Sequence, residues 1–128
     1  MGMERMVFMR LGKVLKRIGQ DERYTVEKDT GLIYARVNGY SLLVDMMHFG
    51  QPYDIIFHLT KDGQAPGRQE LIHHLPKHKN LQNVRVDGNK VTYQARTAML
   101  VQSTVDSLFE IVDLITQGLE ELGYEEMA

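Results

Sequence analysis

The fold is decided by residues 32–47, which read LIYARVNGYSLLVDMM. Apolar-rich runs lie on both sides of Asn38-Gly39, and this dipeptide between two such runs is the strongest short-range signal of a tight hairpin. The stretch therefore predicts two antiparallel strands, Leu32–Val37 and Tyr40–Met47.

Strand and turn signals continue on both sides of this hairpin. Asp29-Thr30-Gly31 and Gly50-Gln51-Pro52 have the composition of turns. The other expected elements are antiparallel pairing over Tyr24–Thr60 with a strand over Asp54–Thr60, a short helix over Arg68–Leu75, and a hairpin of Asn83–Val86 with Lys90–Ala95.

Two amphipathic helices are predicted at the ends of the chain. Met3–Ile18 has helical spacing of apolar residues and is stopped by Gly19. Apolar residues also recur at three- and four-residue spacing over Val105–Leu122, with Ser103 as the expected N-terminal cap and Gly123 as the stop. The apolar arc of this last helix spans about 220°, whereas one core needs only ~100°. We therefore expect it to contact two neighbours.

These elements predict one α+β domain over residues 1–128. Its antiparallel sheet is flanked by the N-terminal helix and the long C-terminal helix, in the order α-βββ(β)-α-ββ-α. The chain has 128 residues, close to the commonest domain size.

Composition narrows the expected environment and chemistry. The chain has no cysteine and a net charge of -2, so disulfides and thiolate sites are excluded. No apolar run approaches the ~20 residues of a membrane span, and no secretory signal is recognised. We expect a soluble cytoplasmic protein. Charge is uneven: residues 1–19 carry five basic residues and Glu4, whereas residues 103–128 carry seven acidic residues and no Lys or Arg.

The pattern resembles the fold of type III secretion chaperones and YbjN-like proteins. The matching segments are the Leu11–Ile18 helix, the Asp29-Thr30-Gly31 turn, the Val37-Asn38-Gly39-Tyr40 hairpin, the Asp54–Thr60 strand and the Val105–Leu122 helix. The resemblance implies a small dimer without catalytic activity that binds an extended polypeptide along apolar patches. The basic first helix departs from the more acidic chains typical of secretion chaperones.

The leading functional hypothesis is therefore a chaperone-like or adaptor-like protein that binds a polypeptide partner. The first helix carries the predicted contact residues, because methionines among its charges suit an adaptable protein surface. These residues are Met6, Met9, Arg10, Lys13 and Arg17. A nucleic-acid-associated regulator is the alternative, since basic residues on one helix can contact phosphates.

A metal-dependent enzyme that uses His73, His74 and His78 is the third hypothesis. His74 and His78 have the i, i+4 spacing of helical zinc ligands, but Pro76 between them is expected to end the helix. The sequence contains no HExxH motif, no Gly-x-Ser-x-Gly elbow and no glycine-rich phosphate loop. We therefore expect neither catalysis nor a bound cofactor.

The wide apolar arc of the last helix also predicts a homodimer. If the first helix uses its own stripe on the sheet, part of that arc is left uncovered, and soluble monomers rarely expose such patches. The expected interface residues are Phe109, Ile111, Leu114, Ile115 and Leu119.

Overall fold

The computed structural model describes residues 2–47 and 52–127, with side chains from residue 10 onward. In chain order the elements are α1 (Gly2–Ile18), β1 (Tyr24–Glu27), β2 (Leu32–Val37), β3 (Tyr40–Asp45), β4 (Tyr53–Thr60), α2 (Arg68–His73), β5 (Leu81–Asp87), β6 (Lys90–Ala95), α3 (Val101–Leu122) and β7 (Glu125–Glu126). This confirms the predicted α+β class and the antiparallel sheet flanked by the first and last helices. None of the helices in this part of the chain has the length and apolarity needed to cross a bilayer.

The hairpin between β2 and β3 is organised by its two turn residues. Asn38 and Gly39 both have positive φ, 51° and 84°, and Val37 pairs directly with Tyr40. Positive φ at both central positions is the geometry whose twist matches the flanking strands. The turn thereby sets the register in which β2 and β3 pair along their whole length.

All strand pairs described in the sheet are antiparallel, and the strand order is β1-β2-β3-β4-β6-β5. α2 lies in the connection from β4 to β5, which run parallel with β6 between them. Among the described residues, β3 pairs with β4 through Leu43, Val44 and Asp45, and β7 pairs with the far end of β4 at Leu59 and Thr60. The short C-terminal strand thus completes the pairing of β4.

The core lies on one face of the sheet, beneath α1 and α3. Val14, Leu15 and Ile18 of α1 are buried, and the ring of Phe109 on α3 lies 4.9 Å from that of Tyr24 on β1. α3 contacts both α1 and the sheet. The two neighbours expected for α3 are therefore present within a single chain.

The N-terminus of α3 differs from the prediction. The helix begins at Val101, and the preceding Leu100 has no capping side chain, so Ser103 is not the cap. Thr104 instead accepts a hydrogen bond from the Ala98 amide at 2.9 Å and donates to the Leu100 carbonyl at 3.1 Å. The start of the helix is consequently held by a residue inside its first turn. Its end is as predicted, with Gly123 at φ 84°.

Burial along α3 predicts that substitutions at two of its apolar residues lower the free energy of unfolding by very different amounts. Ile111 is fully buried, whereas Leu114 is 38% exposed. Ile111→Ala should lower the free energy of unfolding by about 2–5 kcal/mol, because it leaves a cavity. Leu114→Ala, the matched control, should cost about 1 kcal/mol or less. Urea denaturation measures both, and equal losses would contradict this packing.

Candidate binding surface on the open face of the sheet

Strict alternation along the central strands separates two faces of the sheet. On β2, Ile33, Ala35 and Val37 are buried while Tyr34 and Arg36 are exposed. The same alternation holds on β3 and β4, where Leu43 and Ile56 share the face of Tyr34. The buried residues of α1 and α3 pack on the opposite face. The face of Tyr34 is left open by these two helices, and the start of α2 reaches it at its β5 edge. We call the face of Tyr34 the open face.

One row of side chains crosses the open face from strand to strand. The pairing aligns Tyr34 with Leu43, Leu43 with Ile56, Ile56 with Thr92, and Thr92 with Arg85. We call these five residues the central row. Tyr34 is 48% exposed and Leu43 and Ile56 are half-buried. The row therefore presents apolar surface at its β2 end and a guanidinium at its β5 end.

Charged and polar side chains border the central row on both sides. Asp45 and Asp54 lie on one side, and Arg36 lies on the other, where it donates to Glu126 at 3.1 Å. His58 is exposed on that same side. An apolar centre with a polar border is the usual anatomy of a protein-binding patch.

A second cluster of polar groups joins α2 to the C-terminal strand. The Tyr124 hydroxyl donates to Glu70 Oε1 at 2.6 Å, and Lys61 Nζ lies 3.0 Å from the same oxygen. Burial, with the hydrogen bond to Glu70, raises the pKa of Tyr124 to about 12. The hydrogen bond from Tyr124, with that from Lys61, lowers the pKa of Glu70. Because these polar groups are hydrogen-bonded to one another, the cluster holds the C-terminal segment at Tyr124 against α2.

The contact residues predicted on α1 are divided by the structure. Arg10 donates to the carbonyl oxygens of Ala98 and Met99, so it holds the loop before α3. Arg17 Nη1 donates to Gln102 Oε1 at 2.9 Å, and Lys13 is exposed. Met6 and Met9 lie in α1, but the structure describes only their backbone and not their side chains.

The predicted histidine cluster is dispersed among different partners. The His78 Nε2 lies 2.9 Å from Glu110 Oε2 on α3, and the His74 Nδ1 lies 3.0 Å from the Glu70 carbonyl oxygen. The rings of His73 and His74 stand edge to face. Within residues 2–47 and 52–127, no three His, Asp or Glu side chains gather closely enough to hold a metal. His48 lies outside the described residues.

The expected dimer residues on α3 lie mostly in the core of their own chain. Ile111, Ile115 and Leu119 are at most 2% exposed, and Phe109 is half-buried against Tyr24. The dimer prediction requires part of the α3 arc to be left uncovered by α1, whereas α1 packs against α3. These three side chains are therefore unavailable to a second copy in this fold. Leu114 alone of the five is exposed.

Sequence reasoning missed the central row. Its members belong to five strands, and they meet only because four strand registers align them. Comparison with protein-family models, with curated proteins and with solved structures gave no significant match to this chain. The open face must therefore be interpreted from its own chemistry.

Adjacent residues on β2 test the two-faced sheet. Ile33→Thr should lower the free energy of unfolding by about 2–5 kcal/mol, since it removes volume and buries a hydroxyl. Tyr34→Thr keeps a good strand former on the open face and should cost about 1 kcal/mol or less. Thermal or urea unfolding of the two variants provides the comparison. If Tyr34→Thr lowered the free energy of unfolding more than Ile33→Thr does, the open face would have to be covered.

Proposed function

We propose that this protein binds a polypeptide partner on the open face of its sheet, as a chaperone or adaptor without catalytic activity. The central row is the observation that carries the proposal. Tyr34, Leu43 and Ile56 form a continuous apolar strip, aligned across three neighbouring strands and bordered by charges. Exposed aromatic residues within such patches contribute most to protein–protein affinity.

Other exposed apolar side chains fit this role less well. Met99 and Leu100 are more exposed than Tyr34, but they lie in the loop before α3. Leu114 is flanked on the α3 surface by Asp113 and Glu110. Neither position combines a rigid frame with neighbouring apolar side chains, whereas side chains on paired strands are held in fixed positions.

The alternative function, nucleic-acid binding through α1, keeps some support. Lys13, Lys16 and Arg17 are exposed on one helix. Arg10, however, is engaged with the loop before α3.

The homodimer and the cytoplasmic location also remain predictions. A dimer of this fold requires surface other than the buried side of α3.

A selection from randomised peptides tests the proposal. A displayed library of twelve-residue peptides is selected on the immobilised protein, and affinities of the recovered peptides are measured by fluorescence anisotropy. Tyr34→Thr should weaken binding about tenfold or more, because an aromatic anchor is removed. Met99→Ser, the matched control, removes a side chain that is 91% exposed away from the open face. It should leave the affinity unchanged.

Two results would overturn the proposal. The first is recovery of no peptide above background, and the second is equal binding by wild type and Tyr34→Thr. Submicromolar RNA binding at physiological salt, lost when Lys13, Lys16 and Arg17 are changed to Glu, would instead favour the alternative.

A further inference from the structure

A basic cleft lies at the β5 end of the central row. It encloses about 420 Å³ around the hairpin of β5 and β6 and the start of α2. Its lining residues are Arg68, Arg85, Val86, Asp87, Lys90 and Thr92. Three cationic side chains and one carboxylate line it, three minus one, which leaves a balance of +2.

The cations of this cleft are incompletely neutralised by the described residues. The closest carboxylate to Arg85 is that of Asp54, with Nη2 and Oδ2 4.0 Å apart. Charge-assisted hydrogen bonds of this kind are normally about 2.7–2.9 Å long. Among the described residues, neither Arg68 nor Lys90 has a carboxylate within 4.0 Å. The cleft is therefore suited to an added anionic group.

The cleft adjoins the apolar part of the central row, and the buried residue Thr92 lies between them. Thr92 and Arg85 belong to both, and Thr92 lies beside Ile56. Neighbouring strands are about 4.8 Å apart, so the four strand intervals from Tyr34 to Arg85 span roughly 19 Å. An extended polypeptide advances about 3.3 Å per residue and covers that distance in about six residues.

We propose that the partner segment is apolar at one end and acidic at the other. It crosses the strands with an apolar side chain on Tyr34, Leu43 and Ile56 and an Asp or Glu carboxylate in the basic cleft, three to six residues away. The shorter spacing corresponds to Ile56, two strands from Arg85, and the longer one to Tyr34. This inference rests on the proposed function and gives it a partner chemistry.

A peptide fits this arrangement better than a nucleic acid does. Among the residues that the structure describes, no aromatic side chain lines the cleft, and stacking on aromatic rings provides much of the affinity for single-stranded bases. The adjoining Ile56 and Leu43 offer apolar contact, which a sugar-phosphate chain does not use. Arg, in contrast, pairs with carboxylates through two parallel hydrogen bonds.

The test uses the peptides selected on the full chain. The recovered sequences should be enriched in Asp or Glu three to six residues from a large apolar residue. Changing that acid to its amide should weaken binding to the wild-type protein about threefold to tenfold. The triple variant Arg68→Gln, Arg85→Gln, Lys90→Gln should bind the acid and amide peptides equally, because the groups that distinguish them are gone.

A matched control removes the same number of positive charges, three, from α1. The variant Lys13→Gln, Lys16→Gln, Arg17→Gln should retain the preference for the acidic peptide. If Tyr34→Thr abolishes binding but acid and amide peptides bind wild type equally, this inference is overturned and the proposed function stands. If the α1 variant loses the preference and the cleft variant keeps it, the anionic group binds α1 and the inference is likewise overturned. If Tyr34→Thr has no effect, both fail.

Discussion

The structure depends on the burial of one face of an antiparallel sheet. Apolar residues at every second position of β2, β3 and β4 face α1 and α3, and they form a single core with them. Since side chains on a strand alternate between faces, the same constraint assigns the intervening residues to the open face. A shift of one residue in any of these pairings would exchange core and surface.

The wide apolar arc of α3 follows from the same constraint. A helix that packs on a sheet alone needs one narrow stripe, but α3 also packs against α1. The aromatic contact of Phe109 with Tyr24 lies where α3 meets the edge strand β1, close to Arg23. Contact with α1 in the same chain thus accounts for the breadth of the apolar arc. The breadth of the arc therefore gives no information about dimerisation with a second copy of the chain.

Local signals in the sequence predicted most of the elements. The hairpin turn at Asn38-Gly39 and the end of α3 at Gly123 are determined by residues close together in the sequence, so they could be recognised without knowledge of the fold. The start of α3 could not, because it depends on Thr104 contacting Ala98 rather than on a cap motif. β7 has only two residues, and its position depends on Glu126 accepting hydrogen bonds from the Ser41 amide and Arg36.

The candidate site was less accessible to sequence reasoning than the fold. The basic cleft combines residues from α2, β5 and β6, and Arg68 is separated from Arg85 by 17 positions. Each of these cations looks like an ordinary surface residue in the sequence. The pairing of β5 with β6 brings Arg85 and Lys90 together, and the position of α2 adds Arg68 at the same end of the central row. In contrast, the charge run on α1 was conspicuous in the sequence, although Arg10 within it contacts the loop before α3.

The most direct measurement of the central claim is a methyl-resolved NMR titration of the protein with a selected peptide. Ile55 and Ile56 are neighbours in the chain on opposite faces of the sheet, one fully buried and one half-buried. If partners bind the open face, the methyl signals of Ile56 and Leu43 will shift while those of Ile55 and Ile111 stay in place. Shifts confined to α1 and α3, with Ile56 and Leu43 unchanged, would contradict the account.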